Sequence, residues 1–222
     1  MSKTRIISAV KKSDLQSTKE LLRAKPELLT VTERDGRNLL HLACSQGGPA
    51  AVRMAKFLLD RGLPIDEPGP ERCTPLFFAV RGRNRPLVKF LLQRGAEVKR
   101  APGGGLFAAG WYEDLDILDV LLRAGAPVDV VAGVTPFLAS WYWKKFKAAK
   151  FLALHGADVN FRDPKNGKTA LHYGVEKQFD PALLRWLVEH GASPEIADDE
   201  GATARQRASR KRDKRWLAAL GR

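Results

Sequence analysis

The chain has 222 residues, two cysteines and a formal net charge of +13, and these figures exclude several classes of protein at once. Two thiols, Cys44 and Cys73, are too few for a disulfide framework or a four-thiolate zinc site, and they read as reduced, buried small hydrophobes. No stretch approaches the roughly 18 apolar residues that span a bilayer, and residues 1–14, with Lys11, Lys12 and Asp14, lack the apolar run of a secretory signal, so a cytoplasmic protein without membrane contact is expected.

The chain reads as a series of short helix pairs. The first, Ile6 to Leu29, has Lys25 and Pro26 where the later pairs have glycine, which suits a capping unit. Residues 34–68 start a helix at Asn38 and Leu39, lengthen the turn by about three residues at Gln46 to Ala50, and close on Leu58, Leu59 and Gly62. Residues 69–99 open on Thr74, Pro75 and Leu76 and close on Leu91, Leu92 and Gly95. Residues 100–130 carry Gly104 and Gly105 in place of the threonine and proline, in a glycine run read as a loosened loop, and close on Leu121, Leu122 and Gly125. Residues 131–162 open on Thr135, Pro136 and Phe137 and end on Leu152, Leu154 and Gly156. Residues 163–197 open on Thr169, Ala170, Leu171 and His172 and end on Leu187, Val188 and Gly191.

The five closing glycines lie 33, 30, 31 and 35 residues apart, one helix-turn-helix unit per period. The physics of each phrase is local. A threonine or asparagine side chain caps the first free amides, and proline fits the first helical position, where a missing N–H costs nothing. Glycine past the last apolar turn takes the left-handed conformation without a Cβ penalty. After these units Thr203 and Ala204 repeat the helix start, but Arg205 stands where the others have Leu or Phe, giving the polar face that the end of a repeat array needs.

These phrases, together with Asp35, Gly36, Leu40 to Ala43 and the run Gly156 to Asn160, resemble the ankyrin repeat family over nearly the whole chain. The resemblance implies an all-α ankyrin repeat solenoid of about five full repeats (34–197) between an N-terminal cap (1–33) and a basic C-terminal cap (198–222), forming one domain. It also implies that His41 and His172 hydrogen-bond to the backbone of a neighbouring loop.

Chemistry finds little support. Gly167, Lys168 and Thr169 spell the end of a phosphate loop, yet the earlier glycine such a loop needs is Arg162 and the context is helical. The four histidines have no zinc-hydrolase spacing; His155 and His190 sit one residue before a helix-ending glycine, where a cation favours the helix dipole. Ser140 and Cys44 lie among apolar neighbours without a nucleophile elbow. No enzyme, metal or cofactor is expected.

A repeat array presents its inner helices and loop tips as one face. Seven and eight residues after each helix start, a position the resemblance implies is displayed, stand Ser45 and Gln46, Arg81 and Gly82, Trp111 and Tyr112, Tyr142 and Trp143, Glu176 and Lys177, and Arg210 and Lys211. Four aromatics thus fall side by side, flanked by Arg81, Arg83 and Arg85 and by Lys144, Lys145 and Lys147. Tryptophan, tyrosine and arginine dominate binding hot spots. Arg81, Trp111, Tyr112, Tyr142, Trp143, Lys144, Lys145 and Lys177 are therefore the expected binding residues. A register shift of one would exchange Trp143 with Trp141, which is assigned to the core.

The expected function is a monomeric, non-enzymatic protein-binding module, an adaptor or an inhibitor of a toxin or enzyme, that holds an acidic partner on its concave face. Nucleic acid ranks second as a partner. Of the basic residues, eight fall after Ala202 (Arg205, Arg207, Arg210, Lys211, Arg212, Lys214, Arg215 and Arg222) against the single acid Asp213, a run that reads as the solvated face of a cap.

Overall fold

A computed structural model describes residues 2–100, 102–211 and 214–221; Arg212, Asp213 and Arg222 of the basic run lie outside the described residues. The described residues form fourteen α-helices in seven pairs. These are α1 (Ser2–Lys11) with α2 (Leu15–Ala24), α3 (Leu39–Cys44) with α4 (Gly48–Leu59), and α5 (Pro75–Arg81) with α6 (Arg85–Gln93). Next come α7 (Leu106–Trp111) with α8 (Leu115–Arg123), α9 (Pro136–Tyr142) with α10 (Phe146–Leu154), α11 (Ala170–Glu176) with α12 (Pro181–Glu189), and α13 (Ala204–Arg210) with α14 (Lys214–Ala219). Among the described residues, extended pairing is confined to isolated bridges, such as Ala132 with Val134.

Contacts group the chain into two units: Met1–Ala109 with Asp116–Pro127, and Gly110–Leu115 with Val128–Arg222. In the first, α3 packs on α1, α4 and α5, and α4 on α6. In the second, α9 packs on α10 and α11, α11 on α13, and α12 on α14.

The recurring phrases do what their chemistry predicts. The first leucine of each closing phrase, Leu58, Leu91, Leu121, Leu152 and Leu187, is fully buried. The glycines that follow, Gly62, Gly95, Gly125, Gly156 and Gly191, all have φ between 86° and 93°. A Cβ at any of these glycines would meet no atom within 4 Å, so the backbone angle, and not crowding, demands glycine.

Helix starts vary more than the phrases suggest. Asn38 accepts from the His41 amide (3.0 Å) and Thr135 from the Leu138 amide (3.2 Å), whereas the buried Thr74 hydroxyl caps nothing and has no partner among the described residues. The turn after α3 is as short as the others; the extra residues lengthen α4, which has 12 residues where α6, α8, α10 and α12 have nine. The glycine run is not a loop but a 3₁₀ turn over Pro102–Gly105 that leads straight into α7. Gly105 adopts φ 76° there, and a Cβ would stand 3.4 Å from Val80 and Leu121 side-chain carbons. The N-terminal pair begins four residues earlier than Ile6, at Ser2, and its end, Pro26–Thr30, is a 3₁₀ turn.

Candidate partner-binding surface

The helix start at Thr135 and Pro136 fixes which side chains of α9 face inward: Phe137, Leu138 and Trp141 are buried. The Trp141 indole N–H donates to the Ala170 carbonyl at 2.8 Å, and its ring packs against Phe137, Phe146 and Phe179. The helix ends at Tyr142, so Trp143 enters the turn and is 56% exposed, while Trp141 is 0% exposed. The turn closes through the Lys145 amide on the Ser140 carbonyl (2.8 Å), with Lys144 in the left-handed region at φ 61°.

Trp111 and Tyr112 come from the end of α7 and are 48% and 40% exposed. Gly110 governs their approach, because a Cβ there would lie 2.7 Å from the Ser140 hydroxyl. Its absence lets Trp111 meet Trp143 edge to face, ring centroids 5.7 Å apart. The Glu113 carboxylate then accepts the Lys147 amide at 2.9 Å. The ring contacts continue from Trp143 to Tyr142 (5.2 Å) and from Tyr142 to Tyr173 of α11 (5.0 Å). Among the described residues, the exposed large apolar side chains are Trp111, Tyr112, Val131, Trp143 and Leu154, all in the second unit.

Lysines lie on these rings. Lys145 sits 5.2 Å from the Trp111 centroid, Lys177 3.6 Å from that of Tyr142, and Lys144 5.6 Å from that of Phe179. Among the described residues no carboxylate pairs with Lys144, Lys145, Lys165 or Lys177, in contrast to Lys168, which pairs with Glu176 at 2.7 Å. Cations held on π faces and left without counter-charge make a locally positive surface.

Beside Tyr142 and Trp143 opens a cleft of about 420 Å³, walled by Val134, Leu138, Tyr173 and the loop residues Asp163, Lys165 and Asn166. Tyr173 donates its hydroxyl to Asp163 (2.6 Å) and accepts from the Asn166 amide (3.1 Å). Burial first, and then the Asp163 carboxylate, push the Tyr173 phenol up to about 12.

Seven of the expected binding residues, Trp111, Tyr112, Tyr142, Trp143, Lys144, Lys145 and Lys177, therefore belong to one unit, and Arg81, exposed at the end of α5, belongs to the other. Tyr173, Asp163 and Asn166 are not among the residues expected from the sequence. Tyr173 carries a signal, since it lies four residues before Lys177, the residue that caps the end of α11, and so shares its side of the helix.

Other polar groups are structural. His172 accepts the Thr169 amide at Nδ1 (3.1 Å) and offers Nε2 to the Ala202 carbonyl (2.9 Å); His41 offers Nε2 to that of Cys73 (3.2 Å). Burial holds both imidazoles below their usual range. Among the described residues no three His, Cys, Asp or Glu side chains are grouped to hold a metal, and no helix is long and apolar enough to cross a membrane. Gly167, of the phosphate-loop look-alike, is packed under Asp199 and Arg162, where a Cβ would lie 2.2 and 2.5 Å from their side chains.

The basic C-terminal run is not simply a solvated face. Arg207 reaches Asp198 at 2.8 Å and Glu200 at 2.9 Å, and Arg205 reaches Glu195 at 2.6 Å and the Leu220 carbonyl at 3.1 Å. Lys211 caps the end of α11 by donating to the Val175 (2.9 Å) and Glu176 (3.1 Å) carbonyls. Arg205 through Glu195, Arg207 through Glu176 at 3.3 Å and Lys211 through the end of α11 fasten the last helices to the repeat before them.

A family model for ankyrin repeats matches residues 6–101, 106–198 and 137–218. The chain belongs to the ankyrin repeat family. The ankyrin repeat domain of Bcl-3, as a solved structure, superposes with a TM-score of 0.79 at 22% identity and covers 97% of each chain, which places the fold among ankyrin repeat solenoids. The L-asparaginase of Dirofilaria immitis is 28% identical over 82% of this chain, and the nuclear factor NF-kappa-B p105 subunit of Gallus gallus is 28% identical, also over 82%. This chain spans only 25% of the former and 20% of the latter. As an ankyrin repeat domain, the chain is a protein–protein interaction module.

Proposed function

We propose that the chain is a non-enzymatic adaptor or inhibitor that holds an acidic protein segment on the face displayed by the end of α7 and by α9 and α11. The observation that carries this reading is the coincidence, in one unit, of the exposed tryptophans Trp111 and Trp143 with lysines that, among the described residues, no carboxylate neutralises. Large exposed apolar patches with a polar rim mark interaction sites, and a cationic rim steers and selects acidic partners.

The reading is tested by affinity capture with the immobilised chain at low and moderate salt, followed by mass spectrometry, with Trp111→Ala/Trp143→Ala as the comparison. A stoichiometric acidic protein retained by the wild type and lost by the variant supports it. Equal retention by both overturns the site. Recovery of a single partner favours a dedicated inhibitor over an adaptor. Nucleic acid retained with an affinity that collapses as salt rises would replace the protein ligand.

A further inference from the structure

We propose that the cleft between α9, the loop at residues 163–166 and α11 is a pocket for one aromatic side chain bearing a hydrogen-bond donor, tryptophan or tyrosine, presented by the acidic partner segment. This rests on the acidic-partner reading above and adds what that segment carries at its centre.

Size and lining come first. About 420 Å³ lies within the range of small-ligand pockets. Leu138, Ala139 and Val134 supply an apolar wall, while Tyr142 and Trp143 meet at 82° and Tyr142 and Tyr173 at 89°. Rings set perpendicular form a corner that offers π faces to the edge of an incoming ring.

The polar end decides the ligand. Asp163 is only 7% exposed, and its carboxylate accepts the Tyr173 hydroxyl at 2.6 Å and the Lys165 amide at 3.0 Å. The Tyr173 proton is thereby spent, and Asn166 uses one carboxamide N–H on the Tyr173 oxygen (3.1 Å) and its carboxamide oxygen on the Lys168 amide (3.0 Å), which leaves it one N–H. The larger capacity left at this end is that of an acceptor, since a carboxylate has about four lone-pair sites and two are in use, against the one remaining Asn166 N–H. It therefore complements an indole N–H or a phenol O–H carried on an apolar body. A bare cation would also suit a carboxylate, but Lys165 lines the cleft and Lys177 covers the face of Tyr142, so a cationic ligand enters a repulsive field. The same lysines receive the acidic residues that flank the aromatic anchor.

The test uses the full chain and four dye-labelled nonapeptides read by fluorescence anisotropy. Three have acidic flanks and differ only at the centre: tryptophan, 2-naphthylalanine or lysine. The fourth has tryptophan between serine flanks. The tryptophan peptide is expected to bind about tenfold tighter than the naphthylalanine peptide, which has the same bulk without the N–H. That ratio is expected to shrink in Asp163→Asn and to vanish in Ala139→Leu, which fills the cleft without touching the carboxylate. Ala139→Leu also keeps the proposal falsifiable if Asp163→Asn loosens the loop. Equal binding of tryptophan and naphthylalanine, or tightest binding of the lysine peptide, overturns the pocket. Equal binding of the serine-flanked and acid-flanked tryptophan peptides overturns the acidic-partner reading instead, and leaves the donor preference to be read separately.

Discussion

Replacing Trp141 and Trp143 by alanine, one at a time, is expected to give opposite results although the two residues are neighbours but one. Trp141 is wholly buried, stacks on Phe137, meets Phe146 and Phe179 edge-on and donates to the Ala170 carbonyl. Truncating a buried aromatic costs about 3–5 kcal/mol, and the stranded carbonyl adds about 1 kcal/mol. Trp143 is more than half exposed and keeps only edge contacts with Trp111 and Tyr142. Such pairs are worth about 0.5–1.5 kcal/mol when buried, so Trp143→Ala should cost about 1 kcal/mol or less. The assay is urea unfolding followed by far-ultraviolet circular dichroism. With slopes of about 1–3 kcal/mol per molar urea, Trp141→Ala should lower the midpoint by 1 M or more relative to Trp143→Ala. Comparable losses, or a larger loss at Trp143, would refute the register on which the binding surface is built.

Three further outcomes are expected. Gly156→Ala should cost about 1–2 kcal/mol from its φ of 88° alone, and Gly167→Ala clearly more, because a Cβ there also collides with Asp199 and Arg162; thermal denaturation of the pair ranks them, and equal midpoints would contradict the crowding argument. Thr135→Val should cost about 1 kcal/mol as a lost cap, while Thr74→Val, whose hydroxyl has no partner among the described residues, should be neutral or stabilising; denaturant titration checks both. Because burial lowers the His41 and His172 pKa values from 6.5, the unfolded chain binds more protons just below that pH, and stability should fall as pH drops through about 6.5. Urea midpoints at pH 7.5 and 5.5 should therefore differ in the wild type and converge in His41→Gln/His172→Gln, and a midpoint that rises on acidification would contradict the sign.

The fold was legible because its determinants are local and repeated. A glycine at a left-handed angle and a leucine four residues before it mark the end of the outer helix in each of the five full repeats, from Leu58 and Gly62 to Leu187 and Gly191. The positions of Trp141 and Trp143 followed from counting residues after Thr135. What could not be counted was pairing across the sequence. Thr74 and Thr135 are the same residue in the same phrase, yet only the second finds an amide. The three-residue insertion near Gly48 could extend the turn or the helix, and the structure extends α4, which keeps Ala51, Met54 and Ala55 buried. The cleft joins α9 to a loop some 25 residues on, so Asp163 and Tyr173 acquire their meaning only from contacts that the repeat register does not encode. The basic run is a similar case: composition gives its charge, and only geometry shows Arg207 paired with Glu176 and Lys211 with the Val175 carbonyl of the preceding repeat.

Hydrogen exchange of the chain with and without its captured partner tests the binding surface most directly. Amide protection on binding is expected to concentrate in residues 107–114, 138–146 and 173–178, where the aromatics and the lysines without a carboxylate partner among the described residues lie. Protection confined to the outer helices α4, α6, α10 and α12, with those segments unchanged, would contradict it.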